Sequence, residues 1–373
     1  MMKGRVLITG GAGFIGSHVT DELLNSGYAV RIIDNLNPQV HGPIKGPPDY
    51  LNPEAEFIRK DIRNIDTLRK ALEDVTHVCH LAAEVGVGQS MYEIEKYTAV
   101  NTLATATLLQ ALIERPVEKL VVASSMSIYG EGLYQSRSGE FYTQTQRTPD
   151  HYRQGRWEID DLNGDPLFPV PTPEQKGPSL SSVYALTKYD QEQMALIIGR
   201  AYQLPVTALR FFNTYGPRQA LSNPYTGVLA IFSSRLLNDK PPLIFEDGRQ
   251  KRDFVSVHDV ARACRLALES PTADDQVFNI GSGSAFTILE VAEAVGRVMG
   301  KEDIVPEITG RYRAGDIRHC FADISLAENR LNYTPQVSLE EGLEALALWL
   351  DGRTADDHVE YAASELKERG LTI

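Results

Sequence analysis

One stretch near the amino terminus, "ITGGAGFIGSHV" at residues 8–19, leaves the chain few choices of fold. It sets Gly10, Gly13 and Gly16 directly after a β-branched run and at the head of a helical pattern, so a strand must turn tightly into a helix. Glycines there let the backbone approach a pyrophosphate, and the helix amino terminus, with Phe14 and Ile15 in its first turn, offers N–H groups to the negative charge. About 20 residues on, "AVRIID" ends in Asp34, the acid that this fingerprint requires. A carboxylate at that point accepts hydrogen bonds from the ribose hydroxyls of NAD, with Asn35 beside it, and repels the 2′-phosphate of NADP. No arginine immediately follows it. Asp61 and Ile62, which close "EFIRKDI", are placed to sit beside the adenine; a helix N-cap is an equal role for Asp61.

The remainder of the first half keeps the same rhythm. Short β-branched runs ("RVLITG", "AVRIID", "EFIRKDI", "HVCHLAA", "KLVVASS", "VTALRFFN") alternate with helical patterns at Ser17–Ser26, Asp66–Asp74, Tyr97–Ile113 and around Tyr184. That alternation predicts an α/β fold: a doubly wound (Rossmann), mostly parallel sheet covered on both faces. After Asn213 it weakens into loops and helices, including Gly227–Leu237 and Leu289–Met299, while "RDFVSVHDVARACRLAL" and "QVFNIGSG" look like pieces returning to the first sheet. The expected division is therefore discontinuous. Residues 1–212 and 254–280 form the dinucleotide-binding domain; 213–253 and 281–373 form a smaller α/β substrate-binding domain. A polar stretch, residues 131–178, interrupts the pattern and reads either as a cover near the ligand crevice or as a solvated surface excursion.

Charge narrows the partners. With 37 Lys+Arg against 50 Asp+Glu, the net charge of −13 opposes attraction to nucleic acid or to an anionic membrane. No apolar run is long enough to cross a bilayer, and "MMKGRVLITG" lacks the features of a secretory signal, so a cytoplasmic protein is expected. Three scattered cysteines, Cys79, Cys264 and Cys320, without CxxC spacing, argue for buried thiols and against a disulfide framework or a thiolate metal site.

"SSVYALTK" puts Tyr184 and Lys188 on one helix face, four residues apart, so their polar ends can be brought together. A phenol titrating near 10 is a poor base at neutral pH unless a neighbouring cation favours its phenolate. Such a pair also arises by chance. Its company is what lends it weight: the glycine motif, "HLAA" at 80–83, Asn101, "SSMSIYG" at 124–130, "RFFNTYGPRQ" at 210–219, "RDFVSV" at 252–257 and "RAGD" at 313–316. In this order the motifs resemble the extended short-chain dehydrogenases/reductases of the NAD-dependent sugar epimerase/dehydratase family, over nearly the whole chain.

That resemblance implies a set of roles. Tyr184 would be the acid/base, Lys188 would hold the nicotinamide ribose and lower the tyrosine pKa, and Ser125 would hydrogen-bond the reacting sugar oxygen. Leu81, Ala82, Ala83, Asn101 and Ser124 would join the NAD site, and Gly86, Met126, Ser127, Asn213, Arg252, Arg313 and Asp316 the nucleotide-sugar site. Arginines suit the sugar diphosphate because their planar fork gives bidentate bonds to phosphate oxygens. Ser124 and Ser127 flank Ser125, and either Met126 or Ser127 could face the sugar. Where family dehydratases carry Asp-Glu after the catalytic Ser/Thr, this chain has Met126-Ser127. Elimination therefore loses its acid and base, and oxidation with re-reduction remains.

The implied activity is 4-epimerisation of a nucleotide sugar with tightly held NAD, by a homodimer and without a metal. In the pattern of residues 34–42 and 86–93 the chain is most similar to family members acting on dTDP-L-rhamnose, so the resemblance implies that sugar nucleotide, with UDP-glucose and UDP-glucuronate as the close alternatives. Val85 stands where galactose epimerases place a lysine. A reductase using NADPH is opposed by Asp34; a non-catalytic dinucleotide sensor is opposed by the presence of both Tyr184 and Lys188.

Overall fold

The computed structural model describes residues 3–225, 227–312 and 316–372. Seven strands make the central sheet: β1 (Arg5–Thr9), β2 (Ala29–Asp34), β3 (Glu56–Arg59), β4 (His77–His80), β5 (Lys119–Ser125), β6 (Val206–Phe211) and β7 (Gln276–Ile280). Their order is 3-2-1-4-5-6-7, and every pairing is parallel. The chain thus winds outward from β1 in one direction and from β4 in the other, and between these two strands the crossovers part to leave a crevice at the carboxyl edge.

Side chains of β1 show how the sheet is sealed. Val6 and Ile8 point to one face, against Val19 and Leu23 of α1 (Phe14–Asn25). Leu7 points to the other, into a core with Leu68 of α2 (Ile65–Ala71), Leu108 of α3 (Ala104–Glu114) and Ala195 of α4 (Val183–Tyr202). Alternation of this kind is the period-two geometry of a strand, and each fully buried Val or Leu contributes about 1.5–3 kcal/mol. β5 is buried along its entire length, as a central strand with two covered faces must be.

As the sequence suggested, "QVFNIGSG" supplies β7 of the central sheet, and α5 (Val257–Glu269) packs on α1. Phe254–Ser256 does not join that sheet; it pairs with Asn213–Tyr215. Helices 228–237, 288–298 and 339–350 gather around a separate core that includes Leu229, Phe254, Val291, Leu343 and Leu346.

The stretch 131–178 is built rather than solvated. Strands at 133–135, 141–142 and 168–170 pair antiparallel around Tyr134, Ile159 and Leu167. Its anchor is a buried ion cluster. Glu246 places one carboxylate oxygen 2.6 Å from Arg147 Nη1, within the excursion, and the other 2.9 Å from Arg318 Nη1. Arg318 also reaches Asp247 and Glu158. Glu246 holds a left-handed backbone, φ 54°, that a non-glycine side chain adopts at a cost. Burial pushes its carboxyl pKa up while the Arg147 charge opposes this. Local polarity of residues 131–178 could not announce this arrangement, because the partners lie about a hundred residues away.

Among the described residues no helix is long and apolar enough to cross a membrane, and no group of His, Cys, Asp and Glu could hold a metal. Cys79, Cys264 and Cys320 are buried free thiols.

Candidate active site

The glycine turn leaves β1 with Gly10 at φ 70°. A Cβ on Gly16 would lie 2.3 Å from the Gly10 carbonyl oxygen, so this close passage of helix over turn excludes any side chain. Helix α1 begins at Gly13 with no side-chain cap and no acidic residue in its first turn. Its end charge is left for an anion, which fits the pyrophosphate of a dinucleotide.

Asp34 closes β2 across the same crevice. One oxygen accepts the Ala12 N–H at 3.1 Å and the other the Leu36 N–H at 2.9 Å, so this carboxylate ties down the glycine turn. Sequence reasoning looked for an arginine after Asp34 and missed a histidine: His41 Nε2 comes within 3.8 Å of the carboxylate from the loop after β2. Burial holds the His41 pKa below its ordinary value, against the pull of Asp34. Tyr50 hydroxyl donates to the Ala12 carbonyl, 2.9 Å, closing the loop over the turn.

Asp61 takes Asn35 Nδ2 at 3.4 Å and a two-pronged contact from Arg63. The capping alternative for it fails: Asn64, not Asp61, caps α2, with its side chain accepting the Thr67 N–H. Asp61 instead accepts the N–H of Arg63 in a local turn. Ile62 is buried in the core beside α2.

After β4, Leu81 and Ala82 send their N–H groups to the Thr9 hydroxyl, both at 3.2 Å, which holds this segment alongside the glycine turn. Asn101 lies in a π-helical segment, Thr98–Leu103, and is fully buried. Its amide is used entirely within the protein: it accepts from Glu84 N and donates to Glu84 O and Thr187 Oγ1. These bonds hold the loop after Ala83. The Ser124 hydroxyl donates to Glu192 Oε2 at 2.6 Å and keeps its acceptor lone pairs.

Ser125 ends β5 and stands in contact with the Tyr184 hydroxyl. Both Ser127 N–H and Ser127 hydroxyl donate to Ser125 Oγ, at 3.1 and 2.9 Å. Met126 packs with the hydrophobic core and is 8% exposed. A short 3₁₀ turn over residues 126–129 follows the strand, and Ser127 in it is the hydrogen-bonded neighbour of Ser125.

Helix α4 is capped by Ser182, which accepts the Ala185 N–H, while the Tyr184 N–H goes to Ser90 Oγ at 3.0 Å. Burial raises the Tyr184 pKa and the Ser125 hydrogen bond lowers it. Lys188 is buried too, and desolvation brings its pKa down to about 7 against the opposing charge of Glu192. Its ammonium donates to Gln191 Oε1 at 2.6 Å, a partner that sequence reasoning did not consider.

On the other wall, Asn213 leaves its buried Oδ1 without a hydrogen-bond partner, and Gly86 sits at φ 134° where a Cβ would press on Tyr97 and Tyr225. Arg252 turns its guanidinium to the carbonyls of Lys251, Ile317 and Arg318, and so braces the segment that carries Asp316. The Asp316 carbonyl receives Arg147 Nη2 at 2.7 Å. Arg313 lies outside the described residues.

A profile of the NAD dependent epimerase/dehydratase family matches residues 6–153 and 165–281, more than half of the chain. The dTDP-L-rhamnose 4-epimerase of Burkholderia thailandensis is 35% identical over 351 residues, covering 93% of this chain and 94% of that protein. Two solved structures are similar throughout. UDP-glucose 4-epimerase with UDP-glucose from Thermotoga maritima superposes with a TM-score of 0.75 at 32% identity, covering 93% of this chain and 98% of that one. UDP-glucuronic acid 4-epimerase from Bacillus cereus, in complex with UDP-glucuronic acid and NAD, gives 0.76 at 30%, covering 93% and 99%.

Proposed function

Since the chain belongs to the NAD-dependent epimerase/dehydratase family, we propose that it is a nucleotide-sugar 4-epimerase acting on dTDP-L-rhamnose and its C4 epimer. The observation that carries the reaction type is the contact of the Tyr184 and Ser125 hydroxyls at the open edge of the sheet, with Ser127 and no carboxylate following Ser125. The substrate rests on the 35% identity to a dTDP-L-rhamnose 4-epimerase and on the pattern of residues 34–42 and 86–93.

Bound NAD supplies a place for the hydrogen of C4, with its electron pair, to go and to return from. Everything else falls to the chain. Tyr184 takes the O4 proton, Ser125 holds the same oxygen by a hydrogen bond, and Lys188 provides the positive charge that favours the phenolate. The resulting 4-keto sugar turns over about its diphosphate link and presents its other face. Tyr184 then returns the proton to O4, and the configuration is inverted. In this reading Asn213 and Arg252 lie along the diphosphate, and residues 1–212 with 254–280 carry NAD while 213–253 with 281–373 carry the sugar nucleotide.

We place the protein as a homodimer, because Leu103 beside α3 and Leu186 and Ile197 on α4 are apolar side chains about half exposed on neighbouring helices. Catalytic NAD without added reductant is expected to support interconversion of dTDP-L-rhamnose and its epimer faster than that of UDP-glucose or UDP-glucuronate. An assay resolving the epimers of each pair checks this, and a clear preference for UDP-glucuronate would overturn the substrate while leaving the reaction type.

Cofactor choice is a separate expectation. Asp34→Ala combined with Asn35→Arg should weaken NAD binding and improve NADP binding, since the carboxylate that repels a 2′-phosphate is gone and a cation has been added. Titration of both dinucleotides decides it; an unchanged ratio would remove Asp34 from the ribose site.

A further inference from the structure

Lys188 is held by a buried relay of neutral groups that runs through helices α4 and α3 to strands β4 and β1. Its ammonium donates to Gln191 Oε1 at 2.6 Å, and Gln191 Nε2 lies 2.8 Å from Thr105 Oγ1 on α3. Thr105 in turn donates to the Asn101 carbonyl at 2.6 Å. His80, at the end of β4, reaches the same Thr105 oxygen with Nε2 at 2.8 Å, and its Nδ1 lies 2.7 Å from Thr9 Oγ1 beside the glycine turn. Gln191, His80 and Thr105 are each 1% exposed.

One proton assignment leaves no hydroxyl here without an acceptor. The Thr9 hydroxyl donates to His80 Nδ1, the His80 Nε2–H and a Gln191 N–H both donate to Thr105, and Thr105 donates to Asn101. Burial keeps His80 neutral, with a pKa of about 3. Under that assignment the Gln191 amide has a single orientation. Gln191 Nε2 also lies 3.2 Å from His80 Nε2, and it is the lysine end that decides: reversed, the amide would set its NH₂ against an ammonium that only donates. The amide oxygen is therefore aimed permanently at Lys188.

We propose that Gln191 is a positioning residue for the reaction, its amide oxygen held by Thr105 so that the Lys188 ammonium is fixed in place and stays charged where it acts on Tyr184. This rests on the reading of Tyr184 as the base. Desolvation makes the charged lysine costly, so an acceptor that binds only the ammonium form matters most at such a position. Other groups cannot replace it. Glu192, on the same helix, is engaged by Ser124 and by Arg210, and His80 faces from β4 without charge. Around Tyr184 stand Ser125 and the edge-on ring of Tyr97, both neutral.

The test is Gln191→Leu in the NAD-loaded protein. A hydrogen bond to a charged group is worth enough that the acidic limb of the kcat profile is expected to move about one pH unit upward. The direction follows from the base: with its cation displaced or neutral, the phenolate forms only at higher pH. Tyrosinate titration, read as the ultraviolet difference from the same protein carrying Tyr184→Phe, should move the same way with NAD content unchanged. Gln191→Glu, which retains an acceptor, should bring the limb back. An unmoved limb and titration in Gln191→Leu, or lower activity with the limb in place, would overturn the proposal and leave Gln191 a packing residue. Should that variant not fold, Thr105→Val frees the amide from its other end and is read by the same two measurements and outcomes. If the unmodified protein proved not to be an epimerase, the function would fail while the titration, which needs no turnover, still reported on Gln191.

Discussion

Tyr184→Phe is expected to lower turnover by roughly 10²–10⁴-fold, the range contributed by a positioned acid/base, with NAD still bound. The ring loses only its hydroxyl. Its edge-on contact with Tyr97 at 6.4 Å and the backbone bond from its N–H to Ser90 are untouched, so the crevice keeps its shape. What disappears is the group that faces Ser125 and exchanges the proton. Single-turnover kinetics with mass measurement of retained NAD checks both halves. Substantial remaining activity would hand the base role to another group, and loss of NAD would mean that the hydroxyl serves binding.

Arg210→Met is expected to cost about 3–5 kcal/mol of stability, the penalty for leaving a buried charge unpaired. Glu192 is fully buried on α4, and Arg210 on β6 meets it with Nε at 2.9 Å and Nη2 at 2.7 Å. The same guanidinium bonds the Tyr129 hydroxyl and the Glu174 carbonyl. A loss of that size is a large part of the ~5–15 kcal/mol that holds a typical domain. Denaturant unfolding of the variant measures it. Arg210→Met with Glu192→Leu should recover much of the loss, because removing both charges leaves no unpaired charge in the core. A single variant within 1 kcal/mol of the parent would show that water reaches Glu192.

How far the sequence reached depends on how local each feature is. The glycine turn, Asp34 at a strand end and Tyr184 with Lys188 on one helix face are short-range patterns, and the parallel sheet follows from the βα rhythm. Ser124 and Asn101 were legible as positions in motifs but not as orientations. Their side chains turn to Glu192 and to Glu84 and Thr187, partners 68, 17 and 86 residues away. Gln191 stood in plain view, one residue before Glu192, yet its meaning comes from Thr105 and His80 on other elements. His41 escaped for a similar reason, since a four-residue helix at Pro38–His41 carries it back over Asp34.

The way Glu246 clasps Arg147 and Arg318 bears on how the stretch 131–178 could be exchanged between relatives. Cutting it out would strand Arg318 and a left-handed Glu246 without Arg147; transplanting it alone would carry a cation into a recipient that has no carboxylate waiting. Residues 131–178, 246 and 318 therefore make one heritable unit scattered over three parts of the chain, and chimeras that respect it should fold where simple loop swaps fail.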